Sequence, residues 1–569
     1  YEHVPLLAGK HVFKVAGEVV ERLKDATALL ATDKLVHSYP HSWRSKAPLI
    51  FRNTPQWFIS METNGLRQKA LESIEQVRWV PPGGRNRIYS MVENRPDWVV
   101  SRQRAWGVPI TVFVDKRTDE PLRDDAVNKR IFDAVMEEGA DAWFTSDMKR
   151  FLGPDHNPDD FWQVQDILDV WFDSGCTHAF VLERRPDLDW PASLYLEGTD
   201  QHRGWFHSSL LEACGTRGRA PYKAVLTHGF VLAADGRKMS KSLGNVVAPD
   251  KVIGQYGADI LRLWAASSVF TEDLRIGPEI LKTNVDAYRR LRNTLRFILG
   301  NLTGFSQDER IDAQQMPELD RLMLHHLVEL DELVRQSCND FDFPRMFAAL
   351  YNFCTVDLSA FYFDVRKDSL YCDGGTSMRR RAARTVLDKL FYCLTAWFAP
   401  ILCYTAEEAW LNRFPGDDSS IHLQQFPEIP KQWRDDALAA KWKKIRALRR
   451  VVTGALEIER KEKRIGASLQ AEPSVFVEDP EYLSAVDAVD MAETCITSSI
   501  ELTQGALPQE GFRLDDVPGV TVVNGLAMGT KCERCWQVLT SVGDMLDHPG
   551  LCPRCVGAVR EMRAPESAG

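Results

Sequence analysis

The spacing of apolar positions changes several times along this chain of 569 residues, and each change predicts a different kind of element. Residues 15–28 carry a helical period, followed by short β-like runs up to about Ser45. Between about 48 and 121 no clean period holds. The text there is dense in Trp, Arg and Pro, which serves core packing and surface charge as readily as a binding face. From 166 to 270 apolar strand-like runs alternate with helical ones, the pattern of a parallel sheet with crossover helices. Residues 194–196 and 224–232 read as strands, the second buried, and 202–214 and 250–266 read as helices. After Gly277 long amphipathic helices run to about Trp410 and predict a bundle; in 285–299, Val285, Tyr288, Leu291, Leu295 and Ile298 form the inward stripe. The longest apolar run, 390–404, is interrupted by Thr395 and Pro400 and falls short of the roughly 20 residues that cross a bilayer, so it reads as a core helix ending near a proline. A basic helical stretch, 441–464, a mixed segment and a small cysteine-rich module close the chain.

Composition narrows the class. A hydrophobic share of 44 % with 26 % charged residues is that of a globular protein, and the length predicts about three to five domains. The formal charge of −10 excludes an overall basic coat, so any nucleic-acid contact has to come from local surfaces. No positively charged leader with an apolar core opens the chain, and no membrane partner is predicted; the cytoplasm is the expected compartment. The chain starts at Tyr1, inside what reads as a domain, so a fragment is expected.

The densest chemistry lies in Gly236-Arg237-Lys238-Met239-Ser240-Lys241-Ser242-Leu243-Gly244-Asn245, between a predicted strand and a predicted helix, where α/β sheets bind ligands. Two flexible ammonium groups there can follow the charge that grows on a pyrophosphate leaving group. A solvated turn is the plainer reading, and the loop lacks the spacing of a Walker motif. The segment 195–205 leaves a strand end with Glu197, Gly198, Asp200 and Gln201, groups suited to an ammonium and a ribose; a helix cap by Thr199 or Asp200 explains them equally well. A second strand-to-loop junction, 169–175, carries Trp171, which with Trp205 offers an apolar wall for an aliphatic side chain, plain core being the alternative.

Cys532, Cys535, Cys552 and Cys555 form two close pairs sixteen residues apart, a spacing that delivers four sulfurs to one tetrahedral Zn²⁺ and leaves no position for catalytic water. Two disulfides are the competing explanation, disfavoured because nothing points to export. Arg289, Arg292 and Arg296 project from the 285–299 helix away from its stripe, and Lys443, Arg446 and Arg450 belong to a second basic face; such faces are ordinarily only solvated.

The words Lys238-Met239-Ser240-Lys241-Ser242 resemble the KMSKS signature of class I aminoacyl-tRNA synthetases, and Glu197 to Trp205 resembles the segment of that class that cradles the aminoacyl-adenylate. With 37–44, Thr54-Pro55-Gln56-Trp57-Phe58, Asn94-Arg95-Pro96-Asp97-Trp98, 169–175 and the terminal cysteines, the chain is similar to the C-terminal part of the bacterial isoleucyl family within that class. The resemblance implies a multidomain protein. Residues 1–45 close an editing insertion, 46–165 connect back to the catalytic domain, and 166–276 form the second half of a Rossmann-like α/β catalytic domain. Residues 277–430 form a helical anticodon-binding bundle, 431–525 a basic helical and mixed region, and 526–569 a zinc-ribbon-like module.

It further implies isoleucine activation by ATP with Mg²⁺ and transfer to tRNA(Ile) by a monomer. Lys238 and Lys241 are then catalytic, with Lys241 on ATP; Glu197, Gly198, Asp200 and Gln201 hold the adenylate, and the arginines and lysines of both basic faces meet tRNA phosphates. The family's His-x-Gly-His motif is absent among the thirteen histidines, so the chain by itself is expected to be inactive in adenylation and to lack editing. Ser42 stands where some relatives carry cysteine, and no metal is expected there. The alternatives are a valine ligase and a non-catalytic tRNA-binding paralogue.

Overall fold

The computed structural model describes residues 4–42 and 45–563; Tyr1, where the chain starts, and Trp43 and Arg44 of the word 37–44 lie outside the described residues. The chain divides into two compact units, Tyr1–Met61 with Pro96–Val170, and Glu62–Arg95 with Trp171–Gly569.

The first unit has a small aromatic core in which Trp143, Phe151, Phe113 and Ile131 are buried. The helix Asp125–Glu138 turns Val127, Ile131 and Ala134 inward, starts on the Asp124 carboxylate, which accepts from the amides of Ala126 and Val127, and stops at Gly139. The helical period at 15–28 forms a shorter helix, Ala16–Asp25, with no buried residue. The β-like runs after it do not pair into strands: the described residues between it and Phe58 hold one isolated bridge, His41 to Pro48. Pro40, Pro48 and Pro55 remove the amide donors a ladder needs.

The second unit contains a three-stranded parallel sheet of β1 (Arg78–Val80), β2 (Tyr195–Gly198) and β3 (Ala224–His228), in the order β1-β3-β2. Central β3 is buried at Ala224, Val225, Leu226 and Thr227, as its unbroken apolar run requires of a strand covered on both faces. The single strand expected over 224–232 is interrupted. At Gly229 the backbone of Glu272 and Asp273 passes so close that a Cβ would lie 2.2 Å from it, and Phe230 donates its amide to Asp273. The chain leaves the sheet there, and β4 (Val231–Ala233) pairs in parallel with β5 (Leu274–Ile276) instead. The helix expected over 250–266 is likewise two, Pro249–Tyr256 and Ala258–Ser267, parted by Gly257 at φ +89°.

The bundle follows as α1 (Pro278–Asn301), α2 (Glu318–Asp340), α3 (Phe343–Cys372), α4 (Met378–Phe398) and α5 (Cys403–Arg413). The inward stripe of α1 is buried at Leu291, Leu295 and Ile298, with Val285 and Tyr288 half-covered. The apolar run 390–404 divides between α4 and α5 around Pro400. Helix α3 is π-helical over Phe353–Tyr362. It has the length and apolarity to cross a bilayer, yet Leu350, Phe353, Leu358, Phe361 and Tyr362 are in the bundle core.

One buried ion network ties three helices. Arg366 of α3 forks onto Asp320 of α2 at 2.5 and 3.2 Å, and Tyr362 donates to the same carboxylate at 2.7 Å. The third Arg366 nitrogen reaches Glu493, in the helix Met491–Cys495, at 2.8 Å. Next come α6 (Asp436–Lys461), a four-stranded sheet of residues 474–523 packed on it, a short hairpin over 530–539, and α7 (Pro553–Arg563). Removing one member of a buried ion pair leaves the other uncompensated, a loss of roughly 3–5 kcal/mol. Asp320→Ala is expected to lower the stability of the bundle by that order in urea unfolding followed by helical circular dichroism; an unchanged midpoint would show that the network is not stabilising.

Candidate active site and metal centre

The carboxyl end of the parallel sheet is built around two glycines. In β2, Glu197 pairs with Thr227 and Gly198 with His228 of β3, and Glu197 is exposed where the strand ends. The Asp200 carboxylate folds back over Gly198, where a Cβ would lie 2.6 Å from its oxygen. A tight turn, Thr199–Arg203, follows, and then α8 (Trp205–Arg217), which lies earlier in the chain than the bundle helices. Neither Thr199 nor Asp200 caps a helix. Gln201 does so: its side-chain oxygen accepts from the Trp205 amide at 3.0 Å, leaving its amide nitrogen beside Asp200 at 3.4 Å.

Sequence reading missed His202, which is buried, stacks on Trp79 and bonds the Thr199 carbonyl at 2.9 Å. Burial holds its pKa below the ordinary value. The repeated glycines of the motif were the available signal. Gly204 has Gln201 and the Trp171 ring packed where a Cβ would be.

Trp171 lies in the helix Val170–Gly175, so the predicted strand-to-loop junction is a strand-to-helix one. Trp205 stacks flat on Tyr195, with ring centroids 4.0 Å apart, and donates its indole N–H to the Ser174 carbonyl at 3.0 Å. The two tryptophans thus approach one another across Gly204.

A second feature legible only in three dimensions lies beneath them. Glu212 of α8 is buried under Gly175, where a Cβ would stand 2.3 Å from the carboxylate. Its oxygens have no hydrogen-bond partner, the Cys176 thiol lying beside them outside bonding geometry. Burial raises its pKa to about 8, with the nearby Asp173 charge adding to the effect, and burial beside Glu212 pushes the Cys176 thiol to about 12.

The lysine loop springs from β4 through Gly236, which at φ +79° takes a turn conformation that favours glycine. Its shape is set by polar side chains. Asn245 accepts from the Ser240 amide at 2.9 Å and donates to the Lys238 carbonyl at 3.2 Å, and Ser240 caps the short turn Lys241–Leu243. The ammonium groups of Lys238 and Lys241 are exposed. A loop held by its own serines and asparagine, with its lysines turned to solvent, is suited to closing on a polyanion.

At the C-terminus the sulfurs of Cys532, Cys535, Cys552 and Cys555 are buried and lie within 4.8 Å of one another, Cys535 and Cys552 at 3.9 Å. A tetrahedron with Zn–S near 2.3 Å has edges of about 3.8 Å, so the four thiols fit one zinc. Beside them a cleft of about 850 Å³ is lined by Tyr371, Ile496, Trp536 and Gln537 among others. Trp536 is 61 % exposed at φ +67°, with the Lys531 ammonium 5.4 Å from its ring. A second cluster, His325, His326 and Glu329, does not suit a metal. The Asp435 amide donates to His325 Nδ1 at 2.9 Å, which leaves the ring proton on the Nε2 that faces Glu329.

The basic residues fall into two kinds. Arg292 forks onto Glu408, Arg446 pairs with Asp357 and lies over the Phe361 ring, and Arg450 pairs with Asp516. Among the described residues Arg289 pairs with Asp286, at 3.5 Å, while Arg296 and Lys443 are exposed.

Residues 15–277 match the class I tRNA synthetases (I, L, M and V), 320–475 the anticodon-binding domain of tRNA ligases, and 529–556 the zinc finger found in FPG and IleRS. The chain belongs to the class I tRNA synthetases. Within that class it is a homologue of the isoleucine–tRNA ligases. That of Brucella abortus biovar 1 (strain 9-941) is 56 % identical over 96 % of this chain and 56 % of its own length. That of Mesorhizobium japonicum gives the same three figures, and that of Ruegeria pomeroyi is 54 % identical over 98 % of this chain and 60 % of its own. The chain therefore spans little more than half the length of these curated relatives.

Two measurements test the site. The purified chain is expected to carry about one zinc by elemental analysis and Cys552→Ser to lose it while the bundle stays helical; zinc-free protein purified under reducing conditions without chelator would refute the centre. For Glu212, the folded value of about 8 lies above the ordinary 4.5, so between those pH values the unfolded chain has released a proton that the folded chain keeps. Stability therefore falls as pH rises through that window, and does not change on this account below it. Glu212→Gln is expected to be more stable than the parent at pH 8, with the gap closing toward pH 4 in urea unfolding. A gap independent of pH would mean that the carboxyl is not buried as described.

Proposed function

We propose that this chain acts in isoleucine–tRNA ligation: isoleucine attacks ATP·Mg²⁺ to give isoleucyl-adenylate and pyrophosphate, and the acyl group then passes to the terminal ribose of tRNA(Ile). The observation that carries the reading is that Glu197 to Gln201 leave the carboxyl end of β2 beside β3, and that the chain runs from the carboxyl end of β3 through β4 into the lysine loop. Glu197, Gly198, Asp200 and the amide nitrogen of Gln201 hold the adenylate. Trp171 and Trp205 wall the aliphatic side chain, and Lys238 and Lys241 follow the charge that develops on pyrophosphate. No nucleophilic side chain is required, since positioning and charge stabilisation suffice for acyl transfer between bound groups.

The zinc centre is structural, and the helical bundle with the C-terminal module forms the tRNA-binding part. There Arg296 and Lys443 are exposed phosphate contacts and Arg289 is held only by a long pair to Asp286 of its own helix, whereas Arg292, Arg446 and Arg450 have to leave carboxylate partners on other elements to serve. Trp536, exposed beside its cleft, adds a face on which an RNA base can stack. Domain limits near 45, 165, 276, 430 and 525, a single-chain assembly and a cytoplasmic site of action complete the reading. The relatives favour isoleucine over the valine alternative.

The test is isoleucine-dependent pyrophosphate exchange by the full gene product. Lys241→Ala is expected to slow exchange about a hundredfold or more, with little change in the KM for isoleucine. An unchanged rate would remove Lys241 from the site, and preferred activation of valine would overturn the substrate assignment.

A further inference from the structure

Each Cys-x-x-Cys pair encloses an arginine, Arg534 in the first and Arg554 in the second. Arg534 reaches the Cys555 sulfur of the other pair at 3.8 Å, and Arg554 lines the same cleft as Cys535 and Cys552. Neither guanidinium stops there. Arg534 also donates to the carbonyls of Cys372 and, at 3.1 Å, Tyr371, the last two residues of bundle helix α3. Arg554 forks onto Asp368 of the same helix, one arm at 2.8 Å, and touches Asp373 just beyond it at 3.3 Å. A third contact closes the seam: Glu561 of α7 accepts from the Thr376 amide at 2.8 Å, and its carboxylate occupies the space a Cβ on Gly374 would need. The carbonyls at the end of α3 carry the negative end of its dipole and lack intrahelical donors, so a guanidinium completes them.

Four thiolates around one zinc dication leave two negative charges in excess, in a site whose sulfurs are buried. Arg534, in contact with Cys555, offsets part of that excess, and Arg554 shares its charge with Asp368 and Asp373 at the edge of the site. These two guanidinium groups are the same ones that hold α3.

We propose that Arg534 and Arg554 are positioning residues through which metal occupancy and the docking of the C-terminal module on the bundle are one coupled equilibrium. Zinc makes the thiols thiolates and draws the guanidinium groups into place; in place, those groups grip α3, and the grip in turn raises the affinity for zinc. This rests on the zinc assignment and goes beyond it, because it requires residues of the bundle that touch no sulfur to govern the metal.

The experiment uses the full chain, with zinc affinity measured by competition against a chromophoric chelator. Asp368→Asn changes a bundle residue remote in sequence from the cysteines, yet it is expected to weaken zinc binding about 10–100-fold, and Arg554→Gln to do the same. Arg554→Lys, which keeps the charge but not the fork, should fall between them and the parent. In parallel, stripping zinc from the parent should speed amide hydrogen exchange over 368–377 while the interior of α4 stays protected. Parental zinc affinity in both Asp368→Asn and Arg554→Gln, or exchange over 368–377 unaltered by zinc removal, would overturn the coupling. If the aspartate variant fails to fold, the Arg554 pair, outside the bundle, decides alone. A parent chain that takes up no zinc overturns the metal assignment itself and is told apart by elemental analysis.

Discussion

The passage of the 272–273 backbone against Gly229 is the constraint on which the candidate active site depends. A side chain at 229 would collide with main-chain atoms, so only glycine lets the two segments close, and their closure takes the chain out of the parallel sheet right after His228. Had β3 continued, residues 231–237 would have extended the sheet. Instead β4 pairs with β5, and the loop bearing Lys238 and Lys241 departs from a separate two-stranded support. The loop is therefore tethered at its base by backbone pairing and shaped along its length by the side chains of Met239, Ser240, Ser242 and Asn245, a division suited to a segment that closes on a ligand.

Charge is distributed to match. The net −10 is an excess of carboxylates over cations, and inside the fold many carboxylates are answered by arginine: Asp320 by Arg366, Asp388 by Arg413 and Arg310, Asp368 by Arg554. A planar guanidinium can fork onto a carboxylate and still donate elsewhere, which a lysine cannot do as well. Arginines act here as cross-links between helices, and the two lysines of the signature loop are left exposed. This also explains why a basic stripe read from sequence is a poor guide to an RNA-binding face: half of the six cations singled out in 289–450 are answered by carboxylates from other elements.

The C-terminal module follows the same logic. Its thiols satisfy a metal, but its orientation on the bundle is set by Arg534, Arg554 and Glu561 against the end of α3. The cleft beside Trp536 is lined by residues of both the bundle and the module, so its geometry depends on how the module docks.

What the sequence determined by itself was local and periodic. Alternation of apolar runs foretold the parallel sheet and the bundle, the α1 stripe was right because helical spacing alone places Leu291, Leu295 and Ile298 on one side, and four cysteines at two-residue spacing imply one tetrahedral ion whatever surrounds them. The order of residues in 238–242 and 197–205 was enough to suggest the class. What only the tertiary structure decided is where distant segments crowd each other. The break at Gly229, the helix parted at Gly257, the capping role of Gln201, the buried Glu212 and the arginines that cross between knuckles and bundle depend on close approach or on partners from other elements. Periodicity reports which way a side chain faces within its own element; it carries no information about which backbone or which charge arrives from elsewhere to meet it.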